Sequence, residues 1–384
     1  MLDASQAFDR VEYVKLFTLL VKKGLCPVVA RFLSVLYTNQ RLRVKWGNIV
    51  SDDFGVMNSV KQGGVLSPIL FTVYIDELLN QLKNSGFGCY IGNIFLGAFG
   101  YADDVMILAP SKTSMNCMLA IVNKFGSEFN VLFNPGKTKL IVFGGSSVEN
   151  YSIVFNKVVI ICEASASHLG NLIGRKTDEQ VIQLCINDVI SKVNYILSVF
   201  GHCSSEVLYN LFKSYGMSLY GCCLWDFSSK YVHLFYTCWR KCIRKLLSLP
   251  WTTHSVYLPL LINDVNVDTQ LHKRFLKFIK GIIGHDNSLI NLCGKLVING
   301  SDSKACKSLN YICHKYRIRT CELISMPQSK LNLRLNNSNV IMNTDEDILR
   351  NVAIIKEMLD MRDNCGSFFN RAQAQSVLDY ICVV

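Results

Sequence analysis

The 384-residue sequence lacks any apolar run near the ~18 residues that a membrane span requires, and a run such as residues 158–162 is far too short. It also lacks the basic start, apolar stretch and small-residue cleavage site of a secretory signal. No internal repeat is apparent. We therefore expect an intracellular protein of the nucleus or cytoplasm, which is not secreted and has no membrane partner.

The cysteines lack the paired spacing of a disulfide framework, although the sequence contains 16 of them. Most lie within apolar segments, which favours buried thiols in a reducing compartment. A zinc knuckle needs close pairs such as C-x₂₋₄-C. No such pair occurs among the C-terminal candidates Cys293, Cys306, Cys313, His314 and Cys321. Cys238 and Cys242 have metal-like spacing but lie in an apolar and basic helical segment, so zinc is not expected at either place.

Positive charge is unevenly distributed in this chain of net charge +11. Residues 225–330 contain sixteen Lys or Arg against six Asp or Glu. Spacings of three and four place many of these cations on single helix faces, which is typical of a surface for a polyanion. A solvated helix face explains the pattern equally well. The candidate nucleic-acid-binding residues are Arg240, Lys241, Arg244, Lys245, Lys273, Arg274 and Lys277.

The hydrophobic pattern changes near Gly174. Before it, helices alternate with antiparallel strand pairs, which predicts an α+β fold with the helices on one face. After it, apolar residues recur with helical spacing over residues 178–200, 205–220, 231–249 and 268–283. Residues 285–345 are rich in Asn, Ser and Lys and are predicted to be linker or irregular structure. One more helix is predicted over residues 344–361.

Two adjacent carboxylates, Asp103 and Asp104, stand at the tip of a predicted hairpin between the apolar residues 94–96 and 105–108. Like charges a few Å apart repel, and a bound divalent cation is a common way to stabilise them. Asp3 follows a second short apolar segment. If the fold brings these strands together, the three carboxylates form an oxygen-only site suited to Mg²⁺ and phosphoryl transfer.

Three blocks of the sequence, in order and with the expected spacing, resemble motifs A, B and C of reverse transcriptases of the LINE (non-LTR retrotransposon) branch. They are residues 2–11 (LDASQAFDRV), 62–68 (QGGVLSP) and 101–104 (YADD). Residues 134–138 (NPGKT) are similar to motif D, and residues 168–170 (HLG) are similar to the primer-grip motif E. Residues 218–248 resemble the thumb region of such elements. Three blocks in order are a much more specific signal than a lone YxDD.

The resemblance implies a right-hand polymerase palm over residues 1–174 and a mainly helical thumb over residues 175–284. A partly irregular C-terminal extension would follow over residues 285–384. It also implies an RNA-directed DNA polymerase that uses two Mg²⁺ or Mn²⁺ ions, an RNA template, a DNA primer and dNTPs. By this resemblance Asp3 and Asp103 are the principal metal ligands. Asp104 ranks third, since consecutive strand residues face opposite ways.

The other site residues are also implied by the resemblance. Phe8 would pack beneath the incoming sugar and disfavour a 2′-hydroxyl, while Gln62, Gly63 and Gly64 would lie beside the nucleotide. Glycine permits such close backbone approach. Asp9 belongs to the same block as Phe8, but a local ion pair or helix cap explains it equally well.

Lys137 would neutralise or protonate the leaving pyrophosphate, although Lys139 competes for this role. Strand alternation would place both lysines on one face. The primer-grip residues His168, Leu169 and Gly170 would contact the primer backbone. Many family members carry Tyr at the position of His168.

A complete LINE enzyme carries an endonuclease domain and fingers ahead of motif A, whereas Asp3 is the third residue of this sequence. We therefore expect a fragment that runs the reaction poorly alone. One alternative is a catalytically incompetent remnant that binds nucleic acid through residues 225–330. Another is a related polymerase, such as an intron maturase or a telomerase-like protein.

Overall fold

A computed structural model of the protein describes residues 1–144, 151–175, 177–337 and 346–364. The chain divides into two compact units. The first consists of Met1–His168 with Ile173–Arg175, and the second of Leu169–Leu172 with Lys176–Val384. The first unit is α+β, as predicted, and the described part of the second is helical. The division into palm, thumb and extension stays a prediction.

Four helices of the first unit are α1 (Tyr13–Lys22), α2 (Pro27–Thr38), α3 (Ser67–Asn84) and α4 (Lys112–Phe129). The first nine strands, up to the one that begins at Asp104, are β1 (Leu2–Ser5), β2 (Arg41–Leu42), β3 (Lys45–Trp46), β4 (Ile49–Val50), β5 (Phe54–Gly55), β6 (Tyr90–Ile91), β7 (Ile94–Phe95), β8 (Ala98–Tyr101) and β9 (Asp104–Ile107). They are followed by β10 (Leu132–Phe133), β11 (Ser152–Phe155), β12 (Val158–Ile161), β13 (Ser165–His168) and β14 (Asn171–Gly174).

The central sheet of the first unit has the strand order β10-β1-β9-β8, and every neighbouring pair is antiparallel. One face of it is buried, with Leu2, Ala4, Val105, Ile107 and Phe133 all at 5% exposure or less. Successive strand residues point to opposite faces. The alternation therefore leaves the polar residues of β1 and the start of β9 on the other face.

Helix α3 supplies much of the core of the first unit. Its buried residues recur every three or four positions, at Leu70, Phe71, Tyr74, Ile75, Leu78 and Leu82. The helix begins at Ser67, but the Ser67 side chain does not cap it. Its hydroxyl donates instead to the Lys61 carbonyl at 2.5 Å, which closes the loop that precedes the helix.

The second unit begins with α5 (Asp178–Phe200), α6 (Ser205–Leu211), α7 (Lys230–Leu246), α8 (Tyr257–Leu261) and α9 (Val267–Ile283). It continues with α10 (Ser288–Ile298), α11 (Lys304–Tyr316), α12 (Thr320–Ser325), α13 (Gln328–Asn337) and α14 (Glu346–Asn364). The apolar faces of these helices form one core, in which Trp239 is 1% exposed. The helices predicted over residues 178–200 and 268–283 are confirmed to within one residue.

The prediction of irregular structure over residues 285–345 is wrong for residues 288–337, which form α10 to α13. These helices are short, and the starts of α10 and α11 are set by local side-chain caps rather than by long apolar periods. The Asn287 carboxamide accepts from the Leu289 and Ile290 amides, and the Ser303 hydroxyl accepts from the Cys306 amide. Tertiary packing then buries one apolar side of each of α11, α12 and α13. Residues 338–345 lie outside the described residues.

Candidate active site

Asp3 and Asp104 are direct partners across the antiparallel pair of β1 and β9. Side chains of opposite residues in such a pair have Cβ atoms about 4.5–5.5 Å apart. Both are half-buried, while their neighbours Leu2 and Val105 face the core. Pairing and alternation therefore place two carboxylates side by side on the outer face of the sheet.

Asp103 lies in the two-residue turn that joins β8 to β9, since Tyr101 pairs with Asp104. The turn begins at Ala102, whose φ is +52°. A two-residue hairpin turn needs a positive φ, and a residue other than glycine adopts it at some energetic cost. Asp103 is exposed beside this strained position. The turn thus presents the Asp103 carboxylate at the tip of the hairpin.

The three carboxylates have few partners in the described part of the chain. The Asp3 Oδ2 atom accepts from the Ser5 hydroxyl at 3.5 Å and lies 3.7 Å from the Lys137 ammonium nitrogen. Asp103 and Asp104 make no side-chain hydrogen bond or ion pair there. Like charges directly opposite each other destabilise a strand pair. One lysine therefore offsets only part of this local negative charge.

Lys137 is positioned by a turn that is hydrogen-bonded to β1. The Asn134 amide donates to the Asp3 carbonyl at 2.9 Å, and the Lys139 amide donates to the Met1 carbonyl at 3.0 Å. Within the turn, the Asn134 side chain accepts from the Gly136 amide at 2.9 Å. The turn is therefore fixed at both of its ends beside the strand that carries Asp3.

The two candidate lysines have different partners. Lys139 pairs with Glu163 at 2.6 Å, whereas Lys137 extends toward Asp3. Strand alternation would have placed both on one face, but residues 137–139 belong to no strand. This arrangement favours Lys137 for a role at the carboxylates.

Phe8 follows β1 and is partly buried. Its ring stacks on Phe71 of α3, with centroids 4.9 Å apart and planes 24° apart. The Phe8 carbonyl accepts from the Val60 amide at 2.8 Å, which connects the motif A segment to the segment leading into motif B. The ring position is thus fixed on one side by the core of the first unit.

The loop of Gln62, Gly63 and Gly64 lies between Val60, which donates to the Phe8 carbonyl, and α3. Gln62 is exposed, and Gly63 has a φ of +76°. A Cβ atom at Gly64 would lie 2.8 Å from the Ser67 hydroxyl oxygen, so only glycine fits without a local shift. The conformation of the loop therefore favours glycine at both positions, in addition to the proposed close approach to a nucleotide.

The primer-grip candidates lie at the hairpin of β13 and β14. His168 ends β13, and the turn residues Leu169 and Gly170 have φ values of +48° and +72°. A turn of this kind needs positive φ at both central residues, which explains the glycine. Among the described residues, no hydrogen bond or ion pair joins His168 to the three carboxylates.

The basic candidates of α7 and α9 fall into three groups. Arg244 donates to the Thr253 carbonyl and to the Ser255 hydroxyl, and Arg274 donates to the Met217 carbonyl, so both guanidinium groups brace the fold of the second unit. Lys241 and Lys277 are exposed and make no hydrogen bond or ion pair among the described residues. Of the remaining candidates, Arg240 donates to the Thr237 side chain and Lys245 donates to the Asn194 side chain, both of which are neutral. Lys273 makes no such contact among the described residues.

The carboxylates fit a hard cation by their chemistry, since carboxylate oxygen is what Mg²⁺ prefers. Within the described residues, however, no three His, Cys, Asp or Glu side chains are grouped closely enough to hold a metal ion alone. Magnesium is commonly held by one or two carboxylates together with substrate phosphates. The pair of Asp3 and Asp104 suits this shared mode, and Asp103 stands beside it in the turn.

Sequence reasoning missed Ser5, and the ranking of Asp104 behind Asp3 and Asp103 stays a prediction. Ser5 faces the same way as Asp3 because the two are separated by two positions in β1, a signal that the strand period already contained. Alternation along a strand turns Asp104 away from Asp103. The register shows that this same alternation turns Asp104 toward Asp3.

Residues 1–180 match the family model described as reverse transcriptase (RNA-dependent DNA polymerase). Together with the ordered motifs and the antiparallel sheet that joins them, this match shows that residues 1–180 are a reverse transcriptase domain. The family is one of nucleotidyltransferases.

Similar proteins of known type indicate which kind of reverse transcriptase this domain resembles. The chain is 26% identical over 153 residues to the Pol polyprotein of the type-2 retrotransposable element R2DM of Drosophila melanogaster, which covers 40% of this chain and 14% of that protein. It is 21% identical over 310 residues to the RNA-directed DNA polymerase from mobile element jockey of Drosophila funebris, covering 76% and 33%. The domain is therefore of the type found in LINE (non-LTR) retrotransposons. The chain spans between about a seventh and a third of the length of these relatives.

In the described part of the chain, no helix is both long and apolar enough to cross a membrane.

Proposed function

We propose that the chain performs RNA-directed DNA synthesis by transferring a nucleotide from a dNTP to a primer 3′-hydroxyl. The observation that supports this most is the register that sets Asp3 opposite Asp104, next to the exposed turn carrying Asp103. Two metal ions about 3.5–4 Å apart, Mg²⁺ or Mn²⁺, would activate the hydroxyl and stabilise the leaving group when bound there. The partners in this proposal are an RNA template, a DNA primer and dNTPs.

The residues of the chain would have separate roles in this reaction. Asp3, Asp103 and Asp104 would hold the ions, and Ser5 would orient the Asp3 carboxylate through its hydroxyl. The Lys137 ammonium group would hold a proton close to the leaving pyrophosphate. Phe8 would limit the space under the sugar, while the Gln62–Gly64 loop would lie beside the base and sugar. His168, Leu169 and Gly170 would bind the primer backbone. The helices of residues 175–284 would act as a thumb.

An extension assay on an RNA template with a DNA primer, dNTPs and Mg²⁺ tests the proposal. Template-dependent extension by the full chain supports it. Salt-sensitive nucleic-acid binding without any extension, with either Mg²⁺ or Mn²⁺, would instead support a binding remnant that uses the basic helices.

Lys137 and Lys139 provide a matched pair of variants. We expect Lys137→Gln to lower the single-turnover rate of extension by about a hundredfold, the usual scale for a lost proton donor. Lys139→Gln removes the same charge two residues away but only breaks a pair with Glu163, so its rate should stay within about twofold. Equal losses in the two variants would contradict the assignment to Lys137.

Phe8→Val tests the packing beneath the sugar. The smaller side chain opens space above Phe71, so we expect the preference for dNTP over rNTP, measured as a ratio of kcat/KM, to fall by at least about tenfold. The control is Phe17→Val, which shortens an aromatic side chain of α1 that packs against the same core. An unchanged ratio in an active Phe8→Val enzyme would contradict the proposal.

A further inference from the structure

An exposed hairpin between α2 and motif B carries basic residues that the proposed reaction does not use. Strand β2 pairs with β5, and β3 pairs with β4 through the turn at Gly47 and Asn48. Two residues separate the ladders in the first strand and three in the second, which is the arrangement of a β-bulge. All fifteen positions from 41 to 55 are exposed.

The hairpin has one basic face and one apolar face. Alternation along the first strand places Arg41, Arg43 and Lys45 on one side and Leu42, Val44 and Trp46 on the other. The cations recur every two residues, or about 6.6 Å along the strand. Arg43 is paired with Asp53 across the bulge. Arg41 and Lys45 make no side-chain hydrogen bond or ion pair among the described residues.

Backbone hydrogen bonds hold the base of the hairpin close to the catalytic candidates. At its base the Val56 amide donates to the Gln40 carbonyl at 3.1 Å, and four residues later the Val60 amide donates to the Phe8 carbonyl at 2.8 Å. Four extended residues span at most about 14 Å. The base of the hairpin therefore lies within that distance of the loop that follows Asp3.

We propose that the basic face of this hairpin, formed by Arg41, Arg43 and Lys45, binds the phosphate backbone of a single-stranded nucleic acid close to the polymerase site. Evenly spaced cations on an extended strand match a chain of evenly spaced phosphates. Their attraction needs no base sequence, as a template-binding surface requires. Asp53 pairs with the Arg43 guanidinium and so restricts its position on the hairpin. The identification of the bound strand as the template rests on the proposed function, whereas the phosphate-binding surface does not.

The test measures binding of the full chain to a fluorescein-labelled single-stranded RNA of about twenty nucleotides, by anisotropy over a range of KCl, without Mg²⁺ or dNTP. We expect Arg41→Gln with Lys45→Gln to weaken binding on the order of tenfold. The slope of log K against log salt should shrink by about 1.4, since each phosphate contact on a single strand contributes about 0.7. Both positions are exposed, and circular dichroism verifies that the variant is folded.

The matched control is Lys22→Gln with Lys83→Gln, which removes two exposed lysines of the first unit that make no ion pair in the described part of the chain. Its affinity and slope should stay close to the parent values. An equal loss in both double variants, or no loss in either, would overturn the proposal. So would competition by polyglutamate or by anionic lipid vesicles as effective as that by unlabelled RNA.

Two outcomes separate this inference from the proposed function. If the parent chain binds RNA through the hairpin but never extends a primer, the surface stands and the polymerase proposal fails. If the parent extends primers and the hairpin variant binds with an unchanged slope, the polymerase proposal stands and the surface is wrong.

Discussion

Asp103→Asn is expected to reduce primer extension at least about a thousandfold, because it removes a carboxylate from the site where charge develops during nucleotidyl transfer. Asp3→Asn and Asp104→Asn should have losses of similar size. Extension is measured by single-turnover gel assay on an RNA template at saturating Mg²⁺. Asp9→Asn is the control, since Asp9 is exposed in the same motif block and its carboxylate makes no hydrogen bond or ion pair in the described residues.

Stability provides a second readout that separates chemistry from folding. Asp3 and Asp104 are like charges in direct register, so Asp104→Asn should raise the free energy of unfolding by about 0.2–1 kcal/mol. A loss of extension together with a small gain in stability is difficult to explain by misfolding. Near-normal extension by Asp104→Asn would restrict the metal ligands to Asp3 and Asp103. Near-normal extension by Asp103→Asn would contradict the proposed site.

The second large effect expected is a loss of stability at acid pH that originates at His272. This residue is 0% exposed, its Nδ1 atom lies 2.9 Å from the Tyr316 hydroxyl, and its Nε2 atom lies 3.3 Å from the Tyr236 hydroxyl. Burial lowers the pKa of His272 to about 3, and nearby Lys315 adds to this while Asp268 opposes it. The ring is therefore neutral in the folded second unit at pH values where it is protonated in an unfolded chain.

The sign of the pH dependence follows from this difference. Above about pH 6.5 the ring is neutral in both states, so His272 adds no pH dependence. As the pH falls from about 6.5 toward 3, the unfolded state gains a proton that the folded state lacks. Stability is then lost by up to about 1.4 kcal/mol per pH unit.

Urea unfolding at pH 7.5 and pH 5 measures this loss, followed by tryptophan fluorescence. Three of the four tryptophans, at positions 225, 239 and 251, lie in the second unit. His272→Gln keeps a polar side chain without the titration, so its stability should differ less between the two pH values than that of the parent. Tyr316→Phe, which removes one ring partner but keeps the histidine, should retain the dependence. An unchanged pH dependence in His272→Gln would contradict this origin.

The four longest described helices of the second unit could be located from the sequence, since their buried faces repeat with the helical period, as in α5 and α9. The helices α10 to α13 could not, because each is short and is buried by neighbouring helices, and the starts of α10 and α11 are set by side-chain caps. Short apolar periods carry little information until the partner that covers them is known. The apparent linker was therefore folded structure.

The sequence by itself determined the family, the ordered motifs and the α+β class of the first unit. These depend on residue identity and on local periods of two and 3.6 residues, both of which can be read along the chain. Only the tertiary structure decided that Asp104 faces Asp3, that Lys137 rather than Lys139 lies beside these carboxylates, and that Arg244 and Arg274 donate to backbone carbonyls. Each of these depends on register or on a contact between residues distant in sequence, which no local pattern specifies.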